Sequence, residues 1–556
     1  MGGLFRSLRV LSVGPCVLAA LFPAGGSQAA EPRARALDAP QAALTRIEAQ
    51  YADWLDATGA VGTIDSGLMT RIDGLDRRTW EARRRNLTAA LESELPVIDG
   101  SLLGHEDAQA LEAMRKGLVS NALDPSDESH RRCEDRSERG GDDPLPLELA
   151  LYACFDEIGD HIAFEGKPVV RTSVLQWLQE IDDGERRKRL FFALAPLWSA
   201  VNAEDTEDSP YRRMIRLSAA QSRRGGGSSV DEAAATLGMS TAQIEDWLRE
   251  ILAAWRAHSR GPAVEPWDYW YAAASASREL KHAIPRGSVQ PLSERFYRDL
   301  GADLLKLGVR HDLDVRPGKA PLAYTDYIRI GRRIGGRWRP AIPRVSALYE
   351  QGGLFVLNEL IHEDGHAVHE AALRTRPAFY SLGGDLFDEA FADVPAWSVL
   401  EPAWQREYLG ISAATAASLR ELYSNVMLDV AWGLFEITML KDPAADPNLV
   451  WTDLTSHYLN IVAHPELSWW ALRVQLVRWP GYMINYGLGA VLTADIRRRT
   501  EEAIGPFDTG NPQWYAWTSR HLLRYGASID TATLLRRFLG RPVTTAALLN
   551  QLRRLE

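Results

Sequence analysis

Apolar residues recur at helical spacing along most of the chain. After Ser240 the segment STAQIEDWLREILAAW opens with a Ser-x-x-Gln capping box, and its apolar residues fall on one helical face: Ile244, Trp247, Leu248, Ile251, Leu252 and Trp255. The same spacing near the beginning of the chain joins Leu44, Ile47, Tyr51, Trp54 and Leu55. The final segment LLRRFLGRPVTTAALLNQL predicts two helices separated by a Gly-Arg-Pro stop. The pattern therefore predicts a mainly α protein.

Few segments interrupt this helical pattern. Residues 124–146 are rich in charge and predict a solvated loop, and the Gly- and Ser-rich residues 222–232 predict a flexible surface linker. The segment that most favours a strand is RVSALYE at 344–350, which leads through Gly352 and Gly353 into a further helix. We find no internal repeat, and the breaks do not require independent domains.

The first thirty residues differ from the rest of the chain. Arg6 and Arg9 precede the apolar run VLSVGPCVLAALFPA, which is followed by GGSQAA and then by the charged EPRARA. This order predicts a secretory signal peptide at residues 1–30, removed after Ala29 or Ala30. The run is shorter than a membrane span needs, and no later stretch reaches about 18 uncharged apolar residues. We therefore expect residues 31–556 to form a soluble unit exported to the periplasm or the medium.

The composition limits the kinds of partner that the protein is expected to bind. Hydrophobic residues make up 46% of the chain and charged residues 25%, as in a soluble globular protein. The formal net charge of -11 argues against nucleic acid as a partner.

Two cysteines remain after the signal peptide, Cys133 and Cys154. In an oxidising compartment a lone pair is most simply a disulfide, and closing a loop of about 20 residues would stabilise the fold by roughly 3 kcal/mol. The alternative is a pair of buried thiols.

The strongest chemical signal is ELIHEDGHAVHE at residues 359–370. His362 and His366 are four apart and so share one face of a helix, with Glu363 beside them. This is the HExxH arrangement of zinc peptidases, in which two imidazoles hold the ion and the glutamate acts as general base. The motif is short, and helical histidines also occur as ordinary buried or surface polar residues.

A catalytic zinc usually takes three protein ligands and leaves one position for water. Downstream of the motif, Pro377 predicts the end of the first helix, and a second helix is expected to start near Asp385. Glu389 and Asp393 share a face of that second helix. Glu389 is the candidate third ligand, and Asp393 can accept a hydrogen bond from the outer nitrogen of a ligand histidine. Asp385 is a rival for the third ligand.

Here the sequence resembles a family. HEDGH, followed after 23 residues by Glu389 in DEAFADVPAWSVLEP, is similar to the angiotensin-converting-enzyme peptidases, and the thimet-oligopeptidase-like enzymes have a related layout. The resemblance implies one zinc on His362, His366 and Glu389, with Glu363 as general base. It also implies two helical lobes around a deep cleft, roughly 31–340 and 341–556, with a small edge sheet beside the HExxH helix.

A second stretch extends the resemblance. WPGYMINYGLGAVLTADIR from Trp479 is similar to the Tyr-rich helix of the oligopeptidases and to a stretch of thermostable metallocarboxypeptidases. In these families a tyrosine at this place donates a hydrogen bond to the oxyanion, and Tyr486 is favoured over Tyr482. The alternative is two tyrosines in a buried helix. His464 is too far from Tyr486 to be assigned as a second oxyanion donor.

The resemblance leads to a functional hypothesis. We expect an exported zinc oligopeptidase or peptidyl-dipeptidase acting on short peptides. The alternatives are a metallocarboxypeptidase releasing single residues and, from another class, a pseudoenzyme that binds peptides without cutting them. Arg473 and Arg478 are candidates to receive a substrate's C-terminal carboxylate, and are equally compatible with surface charges.

Overall fold

The structure is a computed structural model that describes residues 31–122, 133, 143–159, 161–259, 261–316, 319 and 322–556. The predicted signal peptide lies outside the described residues, as does most of the predicted loop at 124–146. No helix among the described residues is long and apolar enough to cross a membrane.

The chain is mainly helical, and the predicted fold class is confirmed. The first half contains α1 (Glu31–Asp65), α2 (Arg77–Glu94), α3 (His105–Ala122), α4 (Leu145–Gly159), α5 (Arg171–Glu180), α6 (Gly184–Phe192), α7 (Ala195–Asn202), α8 (Pro210–Gln221), α9 (Ser229–Leu237), α10 (Thr241–His258), α11 (Tyr269–Ala273), α12 (Ser275–Leu280), α13 (Val289–Asp299) and α14 (Leu304–Leu307). The second half contains α15 (Leu354–Ala372), α16 (Asp385–Ala396), α17 (Pro402–Leu409), α18 (Thr415–Lys441), α19 (Pro447–Leu459), α20 (Gln475–Arg478), α21 (Ile484–Ile504), α22 (Trp514–His521), α23 (Thr531–Leu539) and α24 (Ala546–Leu552).

The helices predicted from periodicity are confirmed. The capping box of α10 is formed, because the Ser240 hydroxyl accepts from the backbone N–H of Gln243 and the Gln243 side chain accepts from the backbone N–H of Ser240. At the other end of the chain, Gly540 ends α23 in the left-handed conformation and α24 follows.

The predicted linker at 222–232 is wrong, because helical turns cover most of it. A single turn of π-helix continues α8 over Ser222–Gly226, and α9 begins soon afterwards. The Ser228 hydroxyl caps α9 by accepting from the backbone N–H of Asp231, and Val230 is buried in the main core. The apolar face of α9 therefore outweighs the loop-forming composition that precedes it.

The strands form small sheets. Three hairpin-like pairs join β1 (Arg71–Ile72) with β2 (Leu75–Asp76), β3 (Ile162–Phe164) with β4 (Lys167–Val169), and β7 (Arg332–Ile334) with β8 (Arg337–Arg339). A three-stranded sheet has the order β5 (Arg310–Asp312), β9 (Ile342–Ser346), β6 (Tyr324–Arg329). In it β9 is parallel to β5 and antiparallel to β6, which leaves β6 at the edge.

The strand predicted at 344–350 is displaced, because the observed strand β9 ends at Ser346. One further backbone bond runs from the Ala347 N–H to the Asp312 carbonyl, and the chain then turns towards α15. Gly352 is required at that turn because a Cβ there would lie 2.1 Å from the Ile284 carbonyl oxygen. Helix α15 packs against β9 and β6, so the small sheet lies beside the HExxH helix as predicted.

The main hydrophobic core draws side chains from Leu147 to Leu555, so elements before and after residue 340 share it. A second core joins α1 and α3 to the sheet through Tyr327 and to the segment after α15 through Phe379. The division into lobes near residue 340 stays a prediction.

Candidate metal centre

Helix α15 places both histidines of the motif on one face. His366 is buried and His362 is partly buried, and their Nε2 atoms are 3.2 Å apart. The intervening Gly365 allows α16 to approach, because a Cβ at this position would lie 2.8 Å from the Ala392 Cα. The glycine of HEDGH thus brings the second helix of the site next to the first.

Helix α16 supplies the third candidate ligand. The Glu389 Oε2 atom lies 3.4 Å from His362 Nε2, and the potential ligand atoms of His362, His366 and Glu389 all lie within 4.8 Å of one another. Among the described residues this is the group of three that could hold a metal ion, and Asp385 does not belong to it. Two imidazoles and one carboxylate fit zinc, which accepts nitrogen and oxygen donors in a three-ligand catalytic site.

The outer nitrogens of both histidines are held by carboxylates. His362 Nδ1 lies 2.8 Å from Asp393 Oδ1, at the place predicted for Asp393, and His366 Nδ1 lies 2.8 Å from Asp388 Oδ1. These contacts leave each Nε2 atom directed at the common point and favour the tautomer that a metal requires. The sequence reasoning missed Asp388, although three carboxylates within DEAFAD on an otherwise apolar helix were a visible signal.

These carboxylates dominate the electrostatics of the histidines. Burial opposes ionisation, but the hydrogen bonds to Asp393 and Glu389 hold the pKa of His362 well above its usual value. Burial likewise acts against the charge of His366, yet Asp388 raises its pKa to about 9. The same pairing lowers the pKa of Asp388, against the effect of burial. Three carboxylates, those of Asp388, Glu389 and Asp393, therefore lie against the two histidines, and their charge favours a cation at this point.

Glu363 is buried beside the histidines and is held from the sheet. The Thr325 hydroxyl on β6 lies 2.7 Å from Glu363 Oε2 and 2.9 Å from the Glu363 carbonyl oxygen. Burial raises the pKa of Glu363, while the nearby histidines and Thr325 oppose that rise. No sequence pattern pointed to Thr325, because its strand is separated from the motif by nearly forty positions.

A buried network fixes the opposite side of α15. Asp364, which follows Glu363, is fully buried. One of its oxygens lies 2.7 Å from His311 Nε2 on β5, and the other accepts from the Ser293 hydroxyl on α13 at 2.6 Å. The helix that carries the candidate ligands is thus tied to a strand and to a second helix by charged or short hydrogen bonds.

Tyr482 and Tyr486 are neighbours, with their ring centres 5.9 Å apart. Burial raises the pKa of both hydroxyls; the charges of Asp385 and then Glu389 add to the rise at Tyr482, and the charge of Glu389 adds to it at Tyr486. Tyr482 is buried and precedes α21, whereas Tyr486 is partly exposed in its first turn. The Gln475 amide lies 3.4 Å from the Tyr486 hydroxyl. The assignment of Tyr486 or Tyr482 as an oxyanion donor stays a prediction.

The two arginines considered for binding a substrate carboxylate have different partners. Arg473 is paired with Asp429, and its guanidinium lies 5.7 Å from the centre of the Tyr486 ring. Arg478 lies instead 3.9 Å from Glu148 on α4. His464 is hydrogen-bonded to Glu265 and Glu466.

The cysteines lie in a separate small cluster. A disulfide joins Cys133 and Cys154 on α4, with their Cα atoms 4.5 Å apart, and both are packed with Ala200.

The fold is similar to that of a solved structure, the M32 carboxypeptidase from Deinococcus radiodurans R1. The TM-score is 0.52 at 15% sequence identity, and the match covers 92% of this chain and 98% of that one. No protein-family model matches the sequence, and no curated protein matches it. At this identity the likeness establishes the fold, and the closer resemblance to the converting enzymes and thimet oligopeptidase stays a prediction.

Proposed function

We propose that the chain is a zinc-dependent metallopeptidase. The observation that carries the proposal is the convergence of His362, His366 and Glu389, with Glu363 adjacent, on a fold shared with a carboxypeptidase. The complete donor set argues against a peptide-binding pseudoenzyme, in which part of the set would be expected to be lost.

Each side chain of the site has a role in this mechanism. A zinc ion held by the three ligands would act as a Lewis acid on the peptide carbonyl and promote the ionisation of water. Glu363 accepts the proton of the attacking water and delivers it to the departing amine. Thr325 holds one oxygen of Glu363, so that the other is presented to the water. The hydroxyl of Tyr486 or Tyr482 donates to the oxyanion of the tetrahedral intermediate.

Two modes of cleavage are candidates. Similarity to a carboxypeptidase favours removal of residues from the C-terminus, and Arg473 beside Tyr486 offers a cation for a terminal carboxylate. The second candidate is an oligopeptidase or peptidyl-dipeptidase, which the HEDGH and DEAFAD spacing favours by resemblance. Both modes imply short, unfolded peptides as substrates.

Product analysis tests the function and separates the modes. The purified chain is incubated with a peptide of about ten residues, and with the same peptide amidated at its C-terminus, while zinc is measured on the same sample. A carboxypeptidase releases single residues from the free peptide and is inactive on the amide. Dipeptide release or internal cleavage supports the second mode. No hydrolysis by a zinc-loaded chain would refute the proposal.

We also propose that the chain is exported, on the basis of the signal-like residues 1–30. Fractionation of the native host with N-terminal sequencing tests this. A mature N-terminus at residue 30 or 31 outside the cytoplasm supports it, and an intact Met1 in the cytoplasm contradicts it.

A further inference from the structure

A buried glutamate lies outside the metal cluster and is bonded to the segment that carries the tyrosines. Glu436, on α18, has no exposed surface. Its Oε1 accepts from the backbone N–H of Gly481 at 2.8 Å, and its Oε2 accepts from that of Met483 at 2.7 Å. These two residues flank Tyr482. One carboxyl group therefore accepts hydrogen bonds from the backbone on both sides of a predicted oxyanion donor.

The contact also completes the beginning of α21. Met483 is the residue that precedes this helix, and its own side chain makes no capping hydrogen bond. The carboxyl group of Glu436, on another helix, instead accepts a hydrogen bond from the backbone N–H of Met483 at this helix start. Tyr486 lies in the first turn of α21, so its position depends on the same helix start.

A carboxyl group is costly to bury in this place. Burial raises the pKa of Glu436 to about 8, and the hydrogen bonds from Gly481 and Met483 oppose that rise. The bonds use both oxygens as acceptors, which an amide of the same shape cannot reproduce. Packing alone would be served by an apolar side chain.

Close contacts at two glycines also restrict the backbone around this hydrogen-bonded segment. Gly481 has φ +87, in the left-handed region, and a Cβ there would lie 3.1 Å from Val230 Cγ2. On α18 a Cβ at Gly433 would lie 3.4 Å from the Ile484 Cα. One turn separates Gly433 from Glu436, so the two helices are in close contact where the carboxylate reaches across.

We propose that Glu436 is a positioning residue. It sets the backbone conformation of residues 481–483, and through it the position of the hydroxyl that stabilises the oxyanion. The inference rests on the proposed peptidase function for its catalytic consequence. Its structural part, the clamp on Gly481 and Met483, stands independently of that function.

The test uses Glu436→Gln in the zinc-loaded full chain, with Glu421→Gln as matched control. Glu421 lies on the same helix, is also buried, and also accepts from a backbone N–H, that of Ser277. Hydrogen exchange of the amides in residues 479–487 should accelerate in Glu436→Gln and not in Glu421→Gln. The kcat for peptide hydrolysis should fall by about 10- to 100-fold, as expected for a misplaced catalytic group, with KM unchanged.

A double-mutant cycle separates positioning from general damage. Tyr482→Phe and Tyr486→Phe are each combined with Glu436→Gln. In the background of the tyrosine whose loss lowers kcat, Glu436→Gln should have little further effect, because both changes remove the same stabilisation. Fully additive effects, or unaltered exchange at 479–487, would overturn the inference. Absence of hydrolysis in the unsubstituted chain would refute the peptidase proposal, and the exchange result would still decide the clamp.

Discussion

The metal half of the site, formed by His362, His366 and Glu389, is held differently from the tyrosine half, formed by Tyr482 and Tyr486. The metal half lies on two helices adjacent in sequence, and carboxylates fix its side chains directly. The tyrosine half lies about a hundred residues away and is fixed through its backbone, by Glu436 and by glycine contacts with α18. Loss of a contact in the metal half should therefore change the affinity for the metal. Loss of a contact in the tyrosine half should change the position of the tyrosine hydroxyls.

The largest effect is expected in the metal half. Glu389→Ala removes one of the three proposed ligands, so zinc should fall from about one ion per chain to near zero and hydrolysis should be lost. Asp385→Ala should keep the metal, because Asp385 does not belong to the cluster. Elemental analysis after purification without chelator measures both. Zinc retained in Glu389→Ala but lost in Asp385→Ala would reverse the assignment.

The tyrosine half should show a smaller effect without loss of metal. Tyr486→Phe removes the proposed oxyanion donor, and loss of such a donor typically lowers kcat by about 10²- to 10³-fold. Zinc content should stay near that of the unsubstituted chain, since the hydroxyl is not a ligand. Steady-state kinetics with Tyr482→Phe as the paired variant identifies the donor. If neither change affects kcat, the tyrosines are core residues.

The outer carboxylates should have a weaker effect still. Asp388→Asn removes the charge that holds His366 Nδ1 and should weaken zinc affinity by about 10- to 100-fold. Asp393→Asn should have a similar effect through His362, whereas Asp385→Asn should have little. Competition with a zinc chelator measures the affinities. Unchanged affinity in Asp388→Asn would show that its contact with His366 does not support the metal.

The smallest effect on the site is expected from the disulfide. Replacing Cys133 and Cys154 by serine should lower the free energy of unfolding by roughly 3 kcal/mol and leave zinc content and kcat unchanged. Denaturant unfolding without reductant measures the change. Mass mapping of the exported protein should find the two cysteine peptides linked, and two freely alkylated thiols would contradict the pairing.

The same comparison explains what sequence could predict. The spacing of His362 and His366 was enough to place both on one face, because helix geometry is local. Glu389 and Asp393 were predicted from their shared face on the next helix and from the family resemblance. Thr325 and Glu436 could not be predicted, since each acts through a contact between elements far apart in the chain.

Two elements, β9 and α15, end earlier than the sequence predicts, and both end points depend on contacts with distant parts of the chain. Strand β9 ends at Ser346 because pairing with β5 and β6 ends there, a tertiary limit that the apolar residues of 344–350 do not reveal. Helix α15 ends at Ala372, five residues before the predicted stop at Pro377. Its last turns are buried, and the Tyr380 hydroxyl donates to Glu370 Oε1 at 2.6 Å as the chain folds back.

Glu363→Gln tests the central claim most directly, because Glu363 adjoins the metal ligands without being one of them. The substitution removes the proton acceptor and keeps the shape of the side chain. Zinc content and hydrolysis of one peptide are measured on the same samples of both proteins. We expect zinc near one ion per chain in each, with kcat lower by at least about 10²-fold in the variant. Undiminished cleavage by Glu363→Gln, in a preparation free of contaminating protease, would contradict it.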